Sequence, residues 1–138
     1  MAKIGFHTGP LPSLKRAIKE AKTNGWFQAI VLAAVNLEHY GFLELKFHVN
    51  SLDLHYKAED LDALHLRHIA LMLYVTGKIE QQDYDIILRI NSLRNKVMHR
   101  RMKRRTLIGK EADEQIQPLI EDTIRILQEK LNAVKLFV

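Results

Sequence analysis

The sequence contains no cysteine, so it forms no disulfide and offers no thiolate as nucleophile or metal ligand. That composition fits a reducing compartment. Proline and glycine are scarce, three and six among 138 residues, which leaves no stretch suited to a long flexible linker. Long hydrophobic runs are missing as well. The longest, Ala29 to Val35, falls far short of the ~20 apolar residues a membrane helix needs. The segment Met1 to His7 lacks the apolar centre of a secretory signal. A soluble, cytoplasmic protein that does not enter a membrane is therefore expected. With no Gly-rich phosphate loop and no nucleophile elbow, P-loop nucleotide hydrolysis and serine-hydrolase chemistry are not supported.

What is present favours helices. Leu, Ile, Ala, Lys and Glu dominate, and 138 residues make one ordinary domain with a real core. Residues 1–11 read as an irregular lead-in carrying Gly5, Gly9 and Pro10. Pro12 and Ser13 open a first helix over 13–22, with Leu14, Ala17, Ile18 and Ala21 on one face. Asn24-Gly25 ends it. A second helix over 26–49 is dense in apolar residues from Phe27 to Leu37 and should be buried on several sides. After a loop over 50–57, a third helix is expected over 59–75. Thr76-Gly77 supplies its stop, with Gly77 in the left-handed conformation. Glu80 and Asp83 suit the first turn of a fourth helix that runs to residue 102. A turn around Gly109 leads to a fifth helix over 111–136, in which Pro118 marks either a kink or the true first turn. No repeat and no strand pattern is found. The expected fold class is all-α, a single up-down bundle of four to five helices.

The net charge of +5 has one source. Arg100, Arg101, Lys103, Arg104 and Arg105 lie within six residues, and without them acids and bases balance. Such a run, in a 100–110 basic segment and turn, is a candidate contact for a phosphate backbone. A solvated helix end is the plainer alternative, because the helix dipole favours cations there. Five basic residues exceed what capping needs.

The fourth helix carries the most informative pattern. At about 100° per residue, Ile86, Ile90, Leu93 and Val97 form a core stripe, with Arg94 on its flank. Asn91, Asn95, His99 and Leu88 fall on roughly the opposite side, with Ile87 and Met98 between. Arg94 and His99 are thus about 140° apart, while Asn95 and His99 are i,i+4 neighbours. A face mixing Ile87, Leu88 and Met98 with polar groups suggests a second subunit packed there. A two-fold axis would bring two copies of Arg94, Asn95 and His99 together.

The segment Ser92-Leu93-Arg94-Asn95-Lys96-Val97-Met98-His99-Arg100 resembles the R-x4-6-H signature of HEPN domains (higher eukaryotes and prokaryotes nucleotide-binding). The motif's place late in a core helix, after a long apolar helix and before a terminal one, agrees with that family, so the resemblance extends over 1–138 as a single HEPN-like domain. It implies a metal-independent endoribonuclease of a toxin-antitoxin or RNA-defence type. His99 would act as general base, Arg94 as transition-state stabiliser, and Asn95 would orient His99 or the phosphate. The products would be 2′,3′-cyclic phosphate and 5′-hydroxyl ends. Lys96 and the basic residues Arg100, Arg101, Lys103, Arg104 and Arg105 would hold RNA. A homodimer, an antitoxin and a nucleotidyltransferase-type partner are further implications, with no cofactor and no metal. In members silenced by a nucleotidyltransferase, a Tyr stands two residues after the motif His. Here that position is Arg101, so silencing by modification there is not expected. The chemistry suits the residues: imidazole exchanges protons near neutrality, and guanidinium offers a fixed fork of donors to phosphate.

Other readings carry less. A non-catalytic HEPN module binding nucleotide, RNA or a protein is the main alternative, in which Arg94 only ion-pairs a neighbouring helix and His99 only caps carbonyls. A basic DNA-binding protein lacks a helix-turn-helix near the basic run. His65 with His68, and Glu44 with His48, hold helical spacing for half a metal site, yet surface histidines are the simpler reading. Glu38-His39-Tyr40 sits where the second helix turns polar; it could line the motif cleft across the bundle, and the simpler reading is the helix surfacing into water. Trp26 reads as a core anchor.

Overall fold

A computed structural model describes residues 10–53, 55–99 and 104–131. Those residues form a helical bundle, with no strand among them. Helix α1 covers Pro10–Asn24 and α2 covers Phe27–Ser51. A short α3, Ala58–Asp62, precedes α4, Leu66–Val75. Helix α5 is Gln81–Met98, and a 3-10 turn, Arg104–Leu107, leads to α6, Lys110–Arg125, which continues as a π turn, Ile126–Lys130.

Helix α2 is the centre. It contacts α1, α4, α5, α6 and the π turn. Its buried residues, Ala29, Ile30, Ala33, Ala34, Asn36, Leu37, Tyr40, Gly41 and Leu45, cover about half of its circumference. Four of these nine are Ala or Gly, whose small size allows neighbouring helices to approach closely. Around it sit Leu14, Ala17 and Ala21 from α1, Leu66, Ile69, Ala70 and Leu73 from α4, and Ile87, Ile90 and Val97 from α5. Helix α6 adds Ala112, Ile116 and Ile120.

The stops between helices follow local chemistry. Gly25 takes φ of 88°, which turns the chain from α1 into α2. Helix α4 ends in a Schellman motif: Lys78 N–H donates to the Leu73 carbonyl at 2.9 Å, and Gly77 N–H, at φ of 77°, donates to that of Tyr74 at 3.1 Å. At the start of α5 the Asp83 carboxylate accepts the Glu80 N–H at 3.0 Å. Asp83 is also fully buried and accepts from Arg125 at 2.9 Å, tying the start of α5 to the end of α6. That hydrogen bond raises the Arg125 guanidinium pKa above its ordinary value. Burial likewise pushes the Tyr40 phenol up.

Four expectations change. The third helix is broken between Asp62 and Leu66. Leu61 lies about 140° from Leu66 on a continuous helix, so one straight rod could not bury both; the break lets Leu61 and Leu66 both turn inward. The fourth helix stops at Met98 rather than residue 102, with His99 as its cap, and residues 100–103 lie outside the described residues. Ile87, placed on a mixed outer face, is 1% exposed and belongs to the core. The last helix becomes a π turn from Ile126, with Pro118 well inside the α-helical part, and 132–138 lie outside the described residues.

Gly41 marks a tight crossing of α2 with α4. A Cβ there would stand 2.7 Å from Ile69 Cγ2, and Ile69 is buried and stiff at χ1. Gly41→Ala should therefore cost about 1–3 kcal/mol, read as a lower urea midpoint. Gly77→Ala, where a Cβ meets nothing within 4 Å, tests backbone strain alone.

Candidate functional site: the end of α5

The buried stripe of α5 is Asp83, Ile87, Ile90 and Val97. Arg94 follows Ile90 by four residues and precedes Val97 by three, so it lies in line with that stripe, not on its flank. Its side chain is 20% exposed. It meets α2 and not solvent: Nη1 donates to Glu38 Oε1 as an ion pair, and Nη2 donates to Asn91 Oδ1 at 2.8 Å. Two acceptors thus fix the plane of the guanidinium, with further N–H groups left to act.

Glu38 follows the less favoured of the two expectations for its cluster. It does not simply mark where α2 surfaces into water. It crosses to the motif and also lines a 350 Å³ cleft with Val35, His39, Phe42, Asp62, Leu64 and Ile69. The available signal was an acid one residue after an apolar run, on a helix expected to be enclosed. Tyr40 does not surface either; it is 1% exposed. Trp26 is a core anchor at 1% exposure, and its indole N–H donates to Asp113 Oδ1 at 2.7 Å.

Asn95, Lys96, Met98 and His99 are exposed. His99 caps the helix, its N–H donating to the Asn95 carbonyl at 3.0 Å. No side-chain hydrogen bond joins Asn95 to His99 among the described residues. Arg94 and His99 leave the helix on different sides, about 140° and 7.5 Å of rise apart. One chain therefore does not gather the two into a single cleft. Arg100, Arg101 and Lys103 lie outside the described residues, and Arg104 and Arg105 are placed by backbone only, in the 3-10 turn.

Neither expected metal pair gains a third ligand: no group of three metal-binding side chains occurs among the described residues. His65 and His68 stand 5.8 Å apart between ring centroids, and Glu44 instead approaches Lys78 at 3.7 Å. No helix among the described residues is long and apolar enough to cross a membrane. Compared with known proteins, the chain matches no family model, no curated protein and no solved structure. The class that stands is an all-α bundle with an arginine tethered beneath an exposed helix end.

The tether predicts a split among the motif residues. Glu38→Ala strands a mostly buried guanidinium and should cost about 1–2 kcal/mol in urea unfolding. Asn95→Ala and His99→Ala, both exposed, should each stay within about 0.5 kcal/mol.

Proposed function

We propose that this bundle is a HEPN-like domain acting in the cytoplasm as a metal-independent endoribonuclease of a toxin-antitoxin or RNA-defence type. The observation that carries the reading is the placement of the motif. Arg94 is held in a fixed plane by Glu38 and Asn91, while the same helix ends on an exposed Asn95 and His99 immediately before the basic run. A preset guanidinium stabilises charge developing on phosphate oxygens without reorganising. An exposed imidazole keeps the access to substrate that a general base requires.

Because Arg94 and His99 diverge on one chain, a complete cleft needs two copies of α5 about a two-fold axis. With Ile87 in the core, the outer face that would pair keeps Leu88 half-buried and Met98 57% exposed. In that cleft one His99 accepts the 2′-hydroxyl proton and the 2′-oxygen attacks phosphorus. The bond to the 5′-oxygen then breaks, and that oxygen takes a proton from the second imidazole as imidazolium. The products are a 2′,3′-cyclic phosphate and a 5′-hydroxyl. An antitoxin or nucleotidyltransferase-type protein is the partner class that fits such an activity.

A second reading has its own support. Both terminal nitrogens of Arg94 already have acceptors within the fold, as in an arginine that only braces two helices. The protein would then be a non-catalytic HEPN module that binds nucleotide, RNA or a protein.

Cleavage of labelled RNA with end-group analysis separates the two. His99→Ala and Arg94→Lys should each lose at least a hundredfold in rate, EDTA should have no effect, and DNA should be untouched for want of a 2′-hydroxyl. Lys is the better replacement, since Arg94 sits on the buried stripe and Ala would also destabilise the fold. A 3′-hydroxyl product, or full activity in His99→Ala, rejects the mechanism. A wild type inert on many RNAs favours the binding module.

The basic run has a separate signature. Replacing Arg100, Arg101, Lys103, Arg104 and Arg105 with Ser should flatten the dependence of log affinity on log salt by about 3 to 4 for single-stranded RNA. An unchanged slope removes these residues from the phosphate contact.

A further inference from the structure

A second concavity lies where the chain returns to the bundle after the basic run. It is a 420 Å³ pocket between the end of α1, the start of α2 and the 3-10 turn, lined by Ala17, Glu20, Asn24, Gly25, Phe27, Gln28, Leu107 and Ile108. That volume is within the ~300–1,000 Å³ of small-molecule sites. We infer that this pocket receives a guanine base of RNA, resting on the reading that the chain acts on RNA.

The walls are fixed before any ligand arrives. Trp26 N–H donates to the Leu107 carbonyl at 2.7 Å, and Trp26 itself is anchored to Asp113 at 2.7 Å. Gly25 lies against the same carbonyl, where a Cβ would come within 3.2 Å, so no side chain fills the gap from that side. Leu107 is buried, while Phe27 and Ile108, at 37% and 43% exposure, offer a ring and an aliphatic side chain to a flat ligand. A base entering such a slot stacks on the aromatic face.

The polar groups select the base. Glu20 and Asn24 are four residues apart and share one face of α1, and Gln28 comes from the first turn of α2. None of these three side chains has a hydrogen bond or ion pair among the described residues. A carboxylate only accepts, through two oxygens. It matches an edge with two adjacent donors, which guanine presents at N1–H and its exocyclic amine. Adenine and cytosine each offer an amine beside an acceptor, which the carboxylate repels, and uracil offers one N–H between two carbonyls. The two amides can donate to the remaining guanine acceptors.

Position links the pocket to the proposed cleavage site. Its wall residues Leu107 and Ile108 follow the basic run after one intervening residue, Thr106. The eight chain steps from His99 to Leu107 extend at most about 29 Å, so an RNA strand leaving the pocket spans the distance to the end of α5 in several nucleotides.

The test uses the full chain carrying His99→Ala, so that no substrate turns over, titrated with GMP, AMP, CMP and UMP and followed by backbone and indole NMR. GMP should saturate while shifting Gly25 and Trp26, at least tenfold more tightly than the other three. Glu20→Gln keeps the shape but turns one acceptor into a donor, and should lose tenfold or more of GMP affinity. Gln28→Ala, on an exposed helix position, should weaken GMP without altering the fold. Equal affinity for all four nucleotides, shifts confined to other residues, no saturation at millimolar GMP, or an unaffected Glu20→Gln each overturns the inference. GMP selectivity in a protein that cleaves no RNA supports the pocket while rejecting the ribonuclease reading. Cleavage with no guanine selectivity does the reverse.

Discussion

Everything in this bundle is arranged around one constraint: α2 is apolar over most of its circumference and must be enclosed. A helix with a single apolar stripe is satisfied by one partner, whereas α2 needs several. Helices α1, α4, α5 and α6 supply them. Alanines at 29, 33 and 34 and the glycine at 41 set how near those partners come, and Gly41 lies so close to Ile69 that a Cβ would not fit. The capping devices then have a clear physical task. The Gly25 reversal and the Schellman turn at Gly77 end α1 and α4, and the Asp83 cap starts α5.

The ion pair of Glu38 with Arg94 is a partly exposed polar contact at the margin of that enclosure, with side chains 38% and 20% exposed. Solvent screens such a pair, so its net contribution is small, yet losing Glu38 leaves the more enclosed guanidinium short of an acceptor. Such a pair specifies register more than it strengthens the fold, and here it fixes α5 against α2. The same contact removes Arg94 from the protein surface that carries His99. The motif therefore does two things in one turn and a half of helix. It braces the core with its first residue and presents its last residue to solvent.

Much of this could be read in the sequence. The all-α class, the enclosure of α2, the Gly25 and Gly77 stops and the anchoring of Trp26 follow from composition, periodicity and turn chemistry. The failures have physical causes. Asp83 is legible as a first-turn acid, but its burial is not, because sequence cannot show that Arg125, forty-two residues away, supplies its partner. Ile87 and Arg94 were misplaced because the core stripe was centred on Ile86 and Leu93. The buried positions 83, 87, 90 and 97 shift that centre by part of a turn, and with it both residues. The break before Leu66 was hidden because Leu61 and Leu64 look like one continuous apolar helix until their angles are checked against Ile69 and Leu73. Glu38 and the pocket around Glu20 depend on contacts between elements far apart in the chain, which no local pattern encodes.

The separation of Arg94 from His99 has a consequence for how any activity is controlled. If both groups belonged to one chain's cleft, every folded monomer would be competent. On the proposed reading, with the two on different sides of α5, the first requirement would be assembly, and competence would then depend on concentration as well as on folding. In such a dimer the basic run would sharpen this dependence, since like charges on two associating chains repel until a polyanion neutralises them. RNA would then favour the assembled form by binding it more tightly than the separate chains, which is linkage between substrate and association. A base pocket built from α1, α2 and the 3-10 turn, outside the α5 pairing face, would remain available in either state. Substrate selection and catalytic competence would thus reside on separate surfaces of the same small bundle.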